Sequence, residues 1–269
     1  MTAIFRSLLF VPGARPDRFD KAVATGADTI IIDLEDAVLP EDKSTARDAA
    51  FKWLAEKTPE VKAALRINSP RTADGCADIA GLAAAGILPE FIMVPKTETG
   101  TDIEIVSEAL NTKKLIAVVE SGRGLSNVME IARLSAMGVL FGGADFSASL
   151  GADLSNSRAM TYARGAVASA CGASGVPAYD VPFLDIGDDH GLHETTKEAK
   201  SFGFSGRACI HPKQVSTVKS VFTPTEYELA EAQAIIEALE AAHGGAVLHK
   251  GKLVDRPIIL AAQRILASA

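Results

Sequence analysis

Eight short apolar runs recur along the chain. They are Ser7–Gly13 (SLLFVPG), Thr29–Asp36 (TIIIDLED), Ala63–Asn68 (AALRIN), Phe91–Lys96 (FIMVPK), Leu115–Glu120 (LIAVVE), Gly138–Asp145 (GVLFGGAD), Val176–Pro182 (VPAYDVP) and Gly206–Pro212 (GRACIHP). Most are apolar at consecutive positions rather than at every second one, as strands covered on both faces of a parallel sheet are. Between them lie longer stretches with helical patterning, such as 41–57, 124–137 and 157–175. Eight strand–helix units in succession predict an α/β protein, a closed (β/α)8 TIM barrel. An open doubly wound sheet is the competing arrangement. It usually carries G-x-G-x-x-G after its first strand, whereas the turn here reads VPGARPDRF.

The chain continues past the eighth unit. Residues 224–245 (PTEYELAEAQAIIEALEAAHGG) read as a further helix stopped by the pair Gly244–Gly245, and 246–269 as a short hairpin followed by a last helix. The expected division is a barrel over 1–222 and a helical extension over 223–269. A barrel closed at its eighth unit does not need that tail for its core, so the tail either packs outside or reaches a neighbouring subunit.

Polar residues resume at the strand ends in a suggestive way. Strand two runs into Glu35 and Asp36, and strand three into Arg66 and Asn68. Strand four meets Lys96, strand five Glu120, strand six Asp145, strand seven Asp180 and strand eight His211. In a barrel these ends surround one opening, where active sites are built. Any one of them is explained by polarity resuming at a strand end, but a ring of them is not. Several carboxylates without a thiolate or histidine cluster indicate a hard cation such as Mg²⁺, which takes one or two protein carboxylates and completes its shell with water and substrate oxygens. The segment His190–His193 (HGLH) lacks the glutamate of H-E-x-x-H and reads as a polar loop. SGRGLSN, after Glu120, reads as a glycine-containing turn opening a helix.

Composition narrows the picture further. With 269 residues, 48% of them hydrophobic and 23% charged, the chain can bury a full core. The net charge of −7 and the lack of a basic block argue against a nucleic-acid or anionic-membrane partner. Cys76, Cys171 and Cys209 show neither pairing nor metal-type spacing. No signal-peptide pattern and no spanning-length apolar run is visible, so a cytoplasmic location is expected.

The segments RSLLFVPGARPDRFDKA, ADTIIIDLEDAVLPEDK, RIN, VVESGRG and GGADFSASLG, in this order and spacing, resemble the citrate lyase β-subunit-like (HpcH/HpaI aldolase/citrate lyase) family, close to the citramalyl-CoA and malyl-CoA lyases. The resemblance implies a Mg²⁺-dependent carbon–carbon lyase acting on a small-molecule acyl-CoA and releasing a 2-oxo acid. A citrate lyase β subunit, or a related thioesterase or synthase, is the alternative. It implies Glu120 and Asp145 as metal ligands and Arg66 as substrate-binding and catalytic. Glu35 and Asp36 would hold water on the metal and balance charge. Phe10, Pro12, Gly13 and Lys21 would meet coenzyme A, and Ile210 and His211 would lie near its thioester arm. Asp255, in GKLVDRP, would act as acid/base in an adjacent subunit of a homo-oligomer, a trimer or a hexamer. Ala144 departs from the pattern, since many relatives place a second acid beside the aspartate.

Overall fold

The computed structural model describes residues 4–57, 62–153, 156–241, 247–250 and 252–267. The strands are β1 (Ser7–Pro12), β2 (Thr29–Asp33), β3 (Ala63–Arg66), β4 (Ile92–Val94), β5 (Leu115–Val119), β6 (Gly138–Phe141), β7 (Ala178–Asp180) and β8 (Gly206–Cys209). All eight pair in parallel and in sequence order, and β8 returns to β1 to close the barrel. The expected (β/α)8 architecture is therefore present, and the open sheet is not.

The connecting helices are α1 (Phe19–Val23), α2 (Lys43–Lys57), α3 (Ala73–Ala85), α4 (Gly100–Ala109), α5 (Gly122–Ser126), α6 (Val128–Leu134), α7 (Gly143–Leu150), α8 (Ser157–Ser174), α9 (Asp189–Phe202) and α10 (Gln214–Phe222). The pattern over 124–137 is divided between α5 and α6, and Ser121 opens α5 by accepting the Gly124 N–H at 3.0 Å. The HGLH segment is not a loop. Asp188 accepts the Gly191 N–H at 2.8 Å, and this cap carries His190–His193 into the first turn of α9.

Side chains alternate in and out along each strand. The inward set packs as one core containing Leu8, Ile31, Ala64, Met93, Val118, Leu140, Tyr179 and Ala208, with Phe10 partly buried against it. Two residues further along, the same inward direction delivers Phe10 and then Pro12 from β1, and Asp33, Arg66, Glu120, Gly142, Val181 and Ile210 from β2, β3, β5, β6, β7 and β8, to the upper opening, whereas the equivalent position after β4 is Pro95, which does not line it. The apolar core thus fixes which residues reach the site.

The chain divides into two compact units, 1–219 and 220–269. In the second, α11 (Glu226–Ala241) packs with α12 (Arg256–Ala267). A hairpin of β9 (Val247–His249) and β10 (Lys252–Val254) precedes α12, with Val254 opposite Val247. Gly244 and Gly245, expected to stop the first tail helix, lie outside the described residues. Among the described residues no helix is long and apolar enough to cross a membrane.

Candidate active site

A cavity of about 470 Å³ opens at the carboxyl ends of the strands. Asp33, Asp36, Arg66, Glu120 and Asp145 supply its charged wall. Val118 and Leu140, one inward step below Glu120 and Gly142, form an apolar floor, and Phe10, Pro12, Val181 and Ile210 are among the other apolar residues that line it.

β2 ends at Asp33, so Glu35 and Asp36 lie on the turn beyond it. Asp33 and Arg66 occupy matched positions on adjacent strands. The Arg66 fork donates through Nε (2.7 Å) and Nη2 (2.6 Å) to the two Asp33 oxygens. The same carboxylate accepts the Glu35 N–H at 2.9 Å and the Ala37 N–H at 3.2 Å. One buried acid therefore sets both the guanidinium plane and the turn carrying the next two acids. Lys43, from α2, ties down that turn by donating to the carbonyls of Leu34 (2.8 Å) and Glu35 (2.7 Å) and to Asn68 Oδ1 (2.7 Å). Arg66 Nη1 also lies 3.0 Å from Glu35 Oε2 and 3.8 Å from Asp36, and its guanidinium stacks 4.9 Å from the Phe10 ring centroid. Burial works against the charge of Arg66, but Asp33, Glu35 and Asp36 outweigh it and hold the guanidinium firmly protonated.

Glu120 follows β5 and is buried, whereas Asp145 is exposed in the first turn of α7. The Lys96 backbone N–H donates to Glu120 Oε1, and the Lys96 ammonium to Glu35 Oε1, with Asp36 Oδ1 3.3 Å away. Burial, reinforced by the charges of Glu35 and Asp145, pushes the Glu120 carboxyl up to about 8. Burial also raises Glu35, against the pull of Arg66 and Lys96. For Asp36 the same two cations outweigh burial and hold the carboxyl below its usual range. Glu35 Oε2 is buried and, among the described residues, receives no hydrogen bond despite its closeness to Arg66. Arg66 and Lys96 make the acids that follow β2 tolerable, and the arrangement still fits a further cation. Among the described residues, no group of three or more histidines, cysteines and acids is close enough to hold a metal unaided. The donor set is that of an ion bound by two carboxylates and otherwise by water and substrate.

Of the residues singled out from sequence, Phe10, Pro12, Asp36, Arg66, Glu120, Asp145 and Ile210 line the cavity. Glu35 is buried beside them. Gly13 is not among the lining residues; its N–H donates to the Asp33 carbonyl at 2.8 Å, and a Cβ there would sit 2.8 Å from that oxygen. Lys21 is exposed on α1 and does not line the cavity. His211 Nδ1 accepts the Lys213 N–H at 3.2 Å beyond β8, also away from the lining. Asp180 faces a buried ion network, with Arg164 at 3.1 Å and Arg207 at 3.8 Å. Asp255 lies in the second unit, exposed between β10 and α12, and its Oδ1 is 3.5 Å from the Ile258 N–H, as a helix cap would be. Sequence reasoning missed Asp33 and Lys43. Asp33 was visible as the first acid of the DLED segment, in phase with the inward-facing Ile31.

A closed parallel barrel with carboxylates and a fixed arginine around one mouth defines a barrel enzyme of the acid-rich, cation-accepting kind. The chain belongs to the HpcH/HpaI aldolase/citrate lyase family, whose model matches residues 6–212, and so to a family of lyases. It is 34% identical to an L-malyl-CoA/beta-methylmalyl-CoA lyase of Cereibacter sphaeroides, over 98% of this chain and 94% of that one. It is 32% identical to a citrate lyase subunit beta of Leuconostoc mesenteroides subsp. cremoris, over 98% and 93%. Among solved structures, CitE of Mycobacterium tuberculosis in complex with magnesium, acetoacetate and coenzyme A matches with a TM-score of 0.83 at 33% identity, covering 100% of this chain and 99% of that one.

Proposed function

We propose that the protein is a Mg²⁺-dependent lyase that cleaves a 3-hydroxyacyl-CoA, of the citramalyl-CoA or malyl-CoA type, into acetyl-CoA and a 2-oxo acid. The carrying observation is the convergence of Arg66, Glu120 and Asp145 on one cavity in a chain of this family. The reaction breaks the bond between the acyl-CoA α-carbon and the hydroxyl-bearing carbon. The hydroxyl loses its proton and becomes the keto oxygen, and the bonding pair passes into the thioester enolate, which is then protonated at the α-carbon.

Glu120 and Asp145 would hold Mg²⁺, which supplies Lewis-acid polarisation and a template for the 2-oxo acid portion. Arg66, its plane fixed by Asp33, provides permanent positive charge for the enolate oxygen, usually the largest single contribution in such chemistry. Glu35 and Asp36 balance the charge around it. The apolar floor of Val118 and Leu140 keeps water from the reacting carbons. In this reading Asp255, supplied by an adjacent subunit, returns the proton to the α-carbon, and Lys21 and the β1 turn meet coenzyme A from outside the cavity.

The similarity to citrate lyase β subunits supports a second reading, in which the acyl group arrives on a carrier protein. One experiment separates the two. The purified protein is incubated with Mg²⁺ and a panel of free hydroxyacyl-CoAs, and products are identified by mass. Acetyl-CoA plus pyruvate or glyoxylate supports the lyase, free CoA plus hydroxy acid indicates a thioesterase, and no turnover of any free thioester favours the carrier-dependent subunit.

A further inference from the structure

Lys96 lies two residues beyond β4 with φ 50, a backbone conformation disfavoured for any residue with a Cβ and kept only where the surroundings enforce it. Here one residue serves two parts of the acid cluster at once. Its N–H reaches Glu120 at the end of β5, while its ammonium reaches Glu35 and Asp36 on the turn after β2. Arg66, on the strand between, faces the same two acids from the other side.

The two cations differ in how they are held. Arg66 is 13% exposed and locked to Asp33, whereas the Lys96 side chain is 46% exposed and is held at its tip by the two acids. Among the described residues, Glu35 keeps one buried oxygen without a hydrogen bond even so. Asp33, Glu35, Asp36, Glu120 and Asp145 share the mouth with the two cations Arg66 and Lys96, and one of those two cations sits on a side chain with access to water. The bland alternative is a solvated lysine at a strand end, whose surface ion pairs contribute next to nothing. It accounts neither for the left-handed backbone nor for the 5% exposure of Glu35.

We infer that Lys96 is the built-in cation of this cluster: its ammonium holds Glu35 and Asp36 in place before a divalent cation arrives, and competes with that cation for their charge. Lys96 is a positioning residue, touching the acids rather than the reacting atoms. The inference rests on the metal reading given under Proposed function.

The test uses the full-length protein without substrate. Mg²⁺ is titrated calorimetrically into the wild type and into Lys96→Met, Lys96→Gly and Lys96→Arg, and each is melted in EDTA and in Mg²⁺. Lys96→Met and Lys96→Gly should bind Mg²⁺ tighter by about threefold or more, because a like charge beside the ion has gone. Lys96→Met, which keeps the strained backbone, should melt lower than wild type in EDTA, and both variants should gain more than wild type on adding Mg²⁺. Lys96→Arg, which keeps the charge, should stay close to wild type in affinity. Glycine keeps the left-handed backbone and its N–H, so it decides the matter should the methionine variant fail to fold. Unchanged or weakened Mg²⁺ affinity in both charge-free variants overturns the inference, as does a Lys96→Met melting point in EDTA equal to wild type. A wild type that takes up no Mg²⁺ would instead sink the metal reading, and the EDTA melts alone would then decide whether Lys96 holds the cluster.

Discussion

Asp33 and Arg66 are cross-strand partners whose side chains close a two-bond fork at 2.7 and 2.6 Å, with Asp33 only 2% exposed. Breaking a buried pair leaves its partner's charge uncompensated, at a cost of roughly 3–5 kcal/mol. Asp33→Ala should therefore lose stability of that order in urea unfolding. It should also lose more activity than its distance from the reacting atoms implies, because a misplaced guanidinium alone can cost about a hundredfold. A variant with wild-type stability and turnover would show that Arg66 holds its own position.

Arg66→Lys should be nearly as damaging as Arg66→Ala. An ammonium cannot grip both Asp33 oxygens and also face Glu35, as the planar fork does. The loss of a donor to a developing oxyanion is on the order of 10²–10³ in kcat. Steady-state kinetics with the identified substrate check it, and mild kinetics for the lysine variant would make Arg66 a structural strand-end residue.

How far the site could be read from sequence depends on which residues follow from strand phase alone. The eight apolar runs contain every barrel strand, and counting inward steps from Leu8, Ile31, Ala64 and Val118 places Phe10, Asp33, Arg66 and Glu120 toward the mouth. What strand phase does not supply is pairing. That Asp33 rather than Asp36 takes the arginine fork, that Lys43 pins the turn, and that Asp180 joins Arg164 and Arg207 all depend on contacts between residues far apart in the chain. Helix starts were also hard to place. Asp145 appeared as a strand end, but Gly142 opens a helix directly after β6, so the acid sits in that helix's first turn.

Glu120→Gln and Asp145→Asn should each abolish Mg²⁺-dependent turnover while the fold survives, since both residues lie at the mouth and not in the packed layers. Removing Mg²⁺ from the wild type with EDTA should give the same loss, reversed by adding Mg²⁺ back. Circular dichroism checks the fold, and turnover at limiting Mg²⁺ checks the role. Near-wild-type turnover in either variant would sink the metal assignment.

Gly142 presses on Glu120: a Cβ there would lie 2.5 Å from the Glu120 Cβ and 2.8 Å from its Oε2. Gly142→Ala should push the Glu120 side chain out of position, lowering kcat and weakening Mg²⁺ binding together. Its φ of −84 is open to alanine, so backbone strain does not confuse the result. A Gly142→Ala enzyme with unchanged Mg²⁺ affinity would mean that Glu120 has room to move without consequence.

The tail carries the last prediction. Asp255 belongs to the second compact unit, and the proposed reading has it act in an adjacent subunit's site, which makes the protein an obligate oligomer, a trimer or a hexamer. Deleting residues from Gly244 onward should then abolish carbon–carbon chemistry while leaving a folded barrel. The sharper test is complementation, and the structure decides how to run it. Because Asp255 is placed to cap α12, alanine would remove a cap worth about 1 kcal/mol as well as an acid. Asparagine caps as well as aspartate but supplies no acid, so Asp255→Asn isolates the chemistry. Asp255→Asn and Arg66→Ala, each inactive alone, are mixed under conditions that let subunits exchange. Mixed oligomers would contain some sites with both residues intact, so activity should partly return, and the size of the active species by light scattering should match the oligomer. No recovery, with exchange shown independently by labelled subunits, would place Asp255 in its own subunit's site or leave it as the cap of α12 and nothing more.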